Sequence, residues 1–221
     1  MNKIKIGVIF GGKSTEHDVS IVSGTSVIKN LNKDKYEITP IYISSDGQWY
    51  KYTKQIEEIE ILPIGSQIEE KEKIINIEKT IKEFDVIFPV LHGVGGEDGS
   101  IQGMLELFNV PYVGCGVLAS SVGMDKVYTK IIFDKANIKQ TKYEYIKRVE
   151  DQYIYIDKNF NEEKLELDNI TQKINERLIY PMFIKPSNSG SSVGITKALN
   201  IEELKKEIEN ASKFDRKVLI E

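Results

Sequence analysis

The chain has 221 residues, 40% of them apolar and 29% charged, which suits one large or two small folded domains and excludes a disordered composition. Its formal net charge of −4 argues against a nucleic-acid or anionic-membrane binder. One cysteine, Cys115, excludes an internal disulfide and fits a reducing cytosol, and the two histidines, His17 and His92, form no Cys/His cluster for structural zinc.

Lys3 to Phe10 is a β-rich apolar run ending at Gly11-Gly12, which predicts a buried strand and a turn. Thr15-Glu16-His17-Asp18 fits a capping box, so a helix is expected from there to about Asn30. Tyr36 to Ser44 roughly alternates apolar and polar residues and predicts a second strand, with Pro40 expected at an edge or a bulge. Asp46-Gly47 turns the chain into a short strand at Gln48 to Tyr52. Lys54 to Lys82 is polar and charge-mixed, and is read as exposed with one helix near its end. Asp85 to Leu91 predicts another buried strand, Ser100 to Phe108 a helix with Ile101, Met104, Leu105 and Phe108 on one face, and Val110 to Gly114 a short strand. This alternation predicts a parallel sheet with crossover helices.

A second domain is expected from Cys115. It contains a helix at Asp125 to Ala136, a strand at Tyr143 to Arg148, a charged excursion to about Arg177, and a strand at Pro181 to Lys185. The loop Pro186 to Ser192 leads into a predicted strand at Val193 to Thr196. Ile201, Leu204 and Ile208 mark a last helix, and Lys217 to Glu221 a last strand. No apolar run approaches the ~18 residues of a membrane span, and Met1 to Lys5 carries no apolar signal core. A soluble cytoplasmic protein is the expectation.

Four stretches carry chemistry. Gly7 to Ser14 matches the G-x4-G-K-[ST] phosphate-loop pattern, but its middle residues Val8-Ile9-Phe10 belong to the strand, where their amides cannot face a phosphate. The match is set aside. Gly11 to Ser20 reads instead as a turn feeding a helix N-terminus, where Glu16 is either a helix-stabilising acid or a carboxylate that recognises an ammonium group. His92-Gly93-Val94-Gly95-Gly96-Glu97-Asp98-Gly99 places four glycines in eight residues after a buried strand, where backbone can approach a ligand closely. His92 either bonds this loop or contacts substrate, and the second reading is favoured. Glu97 and Asp98 fit capping and loop rigidity. Lys185 to Gly194 is a strand followed by a Ser/Gly loop, which is either a plain flexible turn or a lid over phosphates.

Together these stretches resemble the D-alanine–D-alanine ligases of the ATP-grasp superfamily. The matching residues are Gly11 to Ser20, His92 to Glu106, Pro111 to Gly114, Met124-Asp125-Lys126 and Lys185 to Gly194, in family order. The resemblance implies an α/β chain with a Rossmann-like parallel-sheet N-terminal domain over 1–114 that binds substrate. The lid-bearing α+β subdomain of an ATP-grasp would occupy 115–221. It implies ligation of two D-alanines through an acyl phosphate, at the expense of ATP, for peptidoglycan precursors and the cell wall. Carried over by position, Glu16 holds the ammonium of the first D-alanine and Ser191 is its catalytic partner in the lid. His92 contacts substrate. Lys126 and Lys185 bind ATP phosphates, with Ser192 beside them, and Glu221 sits at the adenine. ATP with Mg2+ or Mn2+, and a homodimer through the first domain, follow from the family.

The family continues for a further domain carrying the acid and Asn magnesium ligands, an Arg and a loop over the second substrate. No residue here matches them, so no metal ligand is assigned. The chain reads as a ligase fragment from which turnover by itself is not expected. A D-alanine–D-lactate or D-alanine–D-serine ligase of the same fold, and a truncated non-catalytic binding module, are the alternatives.

Overall fold

A computed structural model describes residues 2–221. The chain divides into two compact units, Met1–Ser121 and Val122–Glu221.

The first unit is built on a five-stranded sheet. Its strands are β1 (Ile4–Gly11), β2 (Tyr36–Ile43), β3 (Trp49–Tyr52), β4 (Lys71–Lys73) and β5 (Val86–Pro89), in the order β4-β3-β2-β1-β5. β1 runs parallel to both β2 and β5, while β3 and β4 are added antiparallel. The parallel heart is as expected, and the outer strands make the sheet mixed. A parallel strand covered on both faces is apolar where it is covered, and after the exposed Ile4-Lys5 β1 reads Ile-Gly-Val-Ile-Phe-Gly, buried throughout. Alternation sends Ile6, Val8 and Phe10 to one face, where α1 (His17–Asn30) packs Ile21 and Ile28 on them. Ile9 points to the other face. There it meets Ile101 and Leu105 of α3 (Ser100–Leu107) and Ile81 of α2 (Ile77–Ile81). Each such fully buried side chain contributes roughly 1.5–3 kcal/mol.

Several expectations are corrected. Thr15 does not cap α1: the cap position is Glu16, and no side chain bonds the first turn there. Pro40 lies in an interior strand paired with Val8 of β1. The β2–β3 pairing covers only Ile41 to Ile43, so on that side the proline interrupts no rung. The stretch after Lys54 is not simply exposed: Ile59 and Ile68 are each 2% exposed, and charged β4 closes the sheet edge. Val110 to Gly114 forms only a parallel bridge, Ile87 to Tyr112, secured by bonds of 2.9 Å from Ile87 N–H to Pro111 and from Val113 N–H to Ile87.

α1 lies unusually close to β1 at Gly24, where an added Cβ would stand 2.3 Å from Phe10 Cβ. Gly24→Ala gains about 1 kcal/mol in helix propensity but overpacks the core by more, so a net loss of about 1–2 kcal/mol is expected in urea unfolding.

The chain passes to the second unit within α4 (Val117–Met124), a helix the sequence reading missed. This unit holds a six-stranded, fully antiparallel sheet. Its strands are β6 (Glu144–Val149), β7 (Gln152–Ile156), β8 (Glu162–Leu165), β9 (Met182–Pro186), β10 (Thr196–Ala198) and β11 (Lys217–Ile220), in the order β10-β9-β11-β6-β7-β8. The charged excursion to Arg177 is in fact β7, β8 and the amphipathic α6 (Leu167–Asn175). The strand expected at Val193 starts only at Thr196, because residues 193–195 complete the lid turn. α6 and α7 (Ile201–Ala211) cover one face through Ile170, Ile174, Leu204 and Ile208, against Ile146, Ile184, Val218 and Ile220. The period of two leaves Lys217, Leu219 and Glu221 on the other face, with Lys185 opposite Leu219. There α5 (Lys126–Lys135) packs Val127 on Tyr145, Ile156 and Leu219. Among the described residues no helix is long and apolar enough to cross a membrane.

Candidate functional site

In the first unit the candidate residues gather where β1 and β5 end, the edge at which parallel sheets bind ligands. Gly11 closes β1 at φ 88°, and a Cβ there would stand 2.2 Å from the Ile43 carbonyl oxygen, so only glycine fits. The match to a phosphate loop fails as expected, since Gly7 to Gly11 lies within β1. Gly11 N–H donates to Ser20 Oγ at 2.8 Å, and that hydroxyl donates to the Val90 carbonyl at 2.5 Å. One buried serine of α1 thus ties the ends of β1 and β5 together. His17 Nδ1 is 2.7 Å from the Gly12 carbonyl and Nε2 is 3.2 Å from the Tyr42 hydroxyl. A carbonyl can only accept, so Nδ1 carries the proton and Nε2 accepts from Tyr42.

Glu16 is 8% exposed and stands at the head of α1. Its N–H donates to Ser14 Oγ at 3.1 Å, and the Ser14 hydroxyl donates to the His92 carbonyl at 2.9 Å. Gly93, at φ 71°, leaves room for the Glu16 carboxylate: a Cβ on it would stand 2.5 Å from Oε2. His92 Nε2 is 2.8 Å from Ser23 Oγ. Ser23 gives its own hydrogen to the Val19 carbonyl at 3.0 Å, so the imidazole Nε2–H donates to Ser23. Glu97 accepts from Gly93 N–H at 2.7 Å, and Asp98 accepts from the amides of Gly95 and Ser100 at 2.9 and 3.0 Å. Burial pushes the Asp98 carboxyl up, but the bonds from Gly95 and Ser100 more than offset this and hold it below its ordinary value. Both acids stiffen the loop; only Asp98 reaches α3, at the amide of its first residue, and the cap position itself is Gly99 with no side-chain bond, so the capping expected of Glu97 is not found. A cavity of about 240 Å³ opens beside the loop, lined by Lys13, Trp49, Leu91, His92 and Met104.

The second unit carries two clusters. Asp125 caps α5 by accepting from the amides of Val127 and Tyr128 at 3.0 and 3.1 Å. It also accepts from Ser187 Oγ at 2.6 Å and pairs with the Lys217 ammonium. Burial pushes its carboxyl up, yet the bonds from Lys217, Ser187 and the Tyr128 amide hold it below the ordinary range. The neighbouring Lys126 donates its backbone N–H to the Ser187 carbonyl at 3.0 Å and its ammonium to the Ser189 carbonyl at 2.5 Å. The predicted phosphate lysine is therefore in contact with the predicted lid. Ser191 and Ser192, both exposed, sit at the tip of that lid with φ of 47° and 62°. Two successive left-handed residues that carry a Cβ are uncommon, and such conformations cluster at ligand clamps.

Lys185 and Glu221 form the other cluster. The Lys185 ammonium pairs with Glu221 Oε1, while Lys130 Nζ is 2.6 Å and Thr141 Oγ1 2.9 Å from Oε2. The Lys130 and Glu221 side chains are only 14% and 15% exposed. Burial pushes the Glu221 carboxyl up, but the bonds from Lys130, Lys185 and Thr141 outweigh it and bring the pKa down to about 2. Two ammoniums thus share one side-chain carboxylate. Among the described residues no three His, Cys, Asp or Glu side chains converge as a metal site.

Asp125 and Ser187 lie in stretches singled out from the sequence but were given no role there, and Lys217, Lys130 and Ser23 were missed. Lys130 carried a signal, since it lies one helical turn after Lys126 on α5.

Two family models match the chain: "D-ala D-ala ligase N-terminus" over residues 5–115 and "D-ala D-ala ligase C-terminus" over 150–221. The D-alanine–D-alanine ligase of Acetivibrio thermocellus is 46% identical over 100% of this chain and 62% of its own length. D-alanine–D-alanine ligase B of Clostridium tetani is 47% identical, again over 100% of this chain and 58% of its own. Among solved structures, the VanG D-Ala:D-Ser ligase of Enterococcus faecalis superposes with a TM-score of 0.80 at 35% identity, covering 99% of this chain and 62% of that one. The Coxiella burnetii D-alanine–D-alanine ligase superposes with a TM-score of 0.77 at 27% identity, covering 99% and 63%. The chain thus spans about three fifths of the length of these relatives. With the N-terminal model alone accounting for residues 5–115, and relatives aligned from end to end of the sequence, the chain belongs to the D-alanine–D-alanine ligase family.

Proposed function

We propose that this chain supplies the first-substrate and nucleotide-phosphate parts of an ATP-dependent D-alanine–D-alanine ligase, acting in the cytoplasm on peptidoglycan precursors. The observation that supports this most is the meeting of Glu16 with the His92–Gly93 turn where β1 and β5 end. An amino acid offers an ammonium and a carboxylate. Glu16 holds the ammonium, and His92, steadied by Ser23, lies beside the carboxylate. In the second unit Lys126 and Lys185 hold phosphate oxygens as point charges, Ser191 and Ser192 close the lid over them as catalytic and ATP-binding groups, and Glu221 lies at the adenine end. Residues 1–114 would be the substrate domain and 115–221 the ATP-grasp subdomain. Mg2+ or Mn2+ would arrive as the ATP chelate.

The chemistry is phosphoryl transfer followed by acyl transfer. A carboxylate oxygen of the first D-alanine attacks the γ-phosphorus, and ADP leaves. The amine of the second D-alanine attacks the acyl carbon, and inorganic phosphate leaves with the C–O electrons. A carboxylate has no good leaving group and an acyl phosphate has one, which is why ATP is consumed. The protein's part is to position the reactants and to stabilise charge on the transferring phosphoryl oxygens.

The test is a chimaera that joins this chain to the segment of the Acetivibrio thermocellus ligase its match leaves uncovered, about 38% of that relative. D-alanyl-D-alanine is expected, with one ADP and one phosphate per dipeptide. ATP hydrolysis without dipeptide would refute the proposal. The likeness to a D-Ala:D-Ser ligase favours a second reading, and preferential formation of D-alanyl-D-serine would establish it. In either case Lys185→Ala is expected to weaken ATP binding about tenfold by calorimetry, the loss of one charge-assisted contact. Unaltered ATP affinity would remove Lys185 from the nucleotide site.

A further inference from the structure

We propose that Lys130 is a positioning residue that keeps Glu221 paired when Lys185 leaves it for a nucleotide phosphate. The inference rests on the reading above that Lys185 binds nucleotide.

The two lysines hold Glu221 differently. Lys185 takes Oε1, while Lys130 and Thr141 share Oε2. Lys130 is itself anchored, 3.0 Å from Thr141 Oγ1, 3.4 Å from the Thr141 carbonyl and 5.1 Å over the Tyr143 ring. Lys185 has no comparable anchor among the described residues: beyond Glu221 it meets only the Phe183 ring, at 5.9 Å. One ammonium is fixed and the other can swing.

The charge balance points the same way. Glu221 meets Lys130 from α5, Lys185 from β9 and Thr141 from the segment before β6; Asp134, one turn after Lys130, and Tyr143 complete the surroundings of Lys130. Asp134 is occupied by Gln140 and Tyr143, and Glu144 of β6 turns to Tyr155 and Arg177. One side-chain carboxylate is therefore shared by two ammoniums, and Lys185, the one without a second anchor, is the one that can turn to an added anion. If Lys185 were the sole partner, moving it onto phosphate would strand a buried carboxylate, which is costly. With Lys130 in place the carboxylate keeps an ion pair and a hydroxyl donor. Lys185 can then be given up without a proton having to replace it.

Carbon-detected NMR titration of the Glu221 carboxyl in the 221-residue chain reads this without nucleotide. In Lys185→Met, Glu221 is expected to keep titrating below the ordinary glutamate value of about 4.3, because Lys130 and Thr141 remain. In the double variant Lys130→Met/Lys185→Met it is expected to rise above that value. A rise in Lys185→Met alone overturns the proposal, and this single variant decides it even if the double variant does not fold.

A second arm uses ATP, titrated calorimetrically at about pH 6 and about pH 8. In Lys130→Met the affinity should strengthen with falling pH by up to about tenfold per pH unit more than in the parent, because Glu221 must take up a proton when Lys185 departs. Lys130→Arg should restore the parent's dependence. The same pH dependence in the parent and in Lys130→Met overturns the proposal. ATP affinity untouched by Lys185→Met would instead overturn the nucleotide reading, while the carboxyl titration still decides whether Lys130 holds Glu221.

Discussion

Asp125→Ala is expected to destabilise the second unit by about 3–5 kcal/mol, measured by circular dichroism against urea. The side chain is 8% exposed and its Lys217 partner 15%, so the variant leaves an ammonium largely out of water with no counter-charge. It also takes the acceptor from the Tyr128 amide and from the Ser187 hydroxyl, while the Val127 amide keeps Ser187 Oγ at 3.3 Å. Loss of a helix cap alone costs about 1 kcal/mol. Asp125→Asn keeps an acceptor for the amides and should cost less than alanine. Pairing Asp125→Ala with Lys217→Met should cost less than the two separate losses added together, because the stranded charge is gone. A loss under about 1 kcal/mol would show that water reaches Lys217 freely. The sign of the pH dependence follows from the direction of the shift. Asp125 and Glu221 both titrate lower when folded than when unfolded, so their contributions are whole above about pH 4.5. They fade as the pH falls, and that of Glu221 is lost through its folded value of about 2.

Glu16→Gln, placed in the chimaera, is expected to raise the KM for the first D-alanine about 100-fold and to change the KM for ATP less than twofold. Glutamine keeps the shape and an acceptor oxygen but not the charge, and a hydrogen bond between charged groups is worth about 1.5–3 kcal/mol more than none. Burial strengthens the effect, since only 8% of Glu16 meets solvent and screening is weak. The turn itself should survive. It is held by the Ser14, Ser20 and His17 bonds to backbone, none of which involves the Glu16 carboxylate. An unchanged KM for D-alanine would return Glu16 to a helix-stabilising acid. Equal changes for both substrates would point to a distorted turn instead.

Legibility in the sequence followed how locally each feature is encoded. β1 and α1 could be read because their apolar periods of two and of about 3.6 are strong within a few residues. β7, β8 and α6 were lost because their exposed faces are charged, and a strand such as Glu162–Leu165 shows alternation only weakly. Pro40 misled because a proline's cost depends on which neighbour pairs at that rung, which sequence does not state. Thr15 misled because the helix starts one residue later than the box implies, with Glu16 at the cap position and no side-chain cap bond there. Glu16, His92, Lys126, Lys185 and the lid serines were visible as motifs. Their partners were not. Ser23 and His92, or Lys130 and Glu221, lie far apart in the chain and meet only through the fold.

The two ends of the lid are fixed to the core. Asn188 gives both its backbone and side-chain N–H groups to Asp215, at 2.7 and 2.9 Å. Gly194 is wedged so tightly that a Cβ would come within 2.7 Å of Phe214 and 2.8 Å of Pro186. Only residues 189–193 lie between these clamps. Ordering a free backbone costs about 1–2 kcal/mol per residue, so a long floppy lid would consume much of a nucleotide's binding energy each time it closed. A five-residue flap hinged at both sides limits that entropy loss to a few residues. It also restricts the flap to something close to a single opening coordinate.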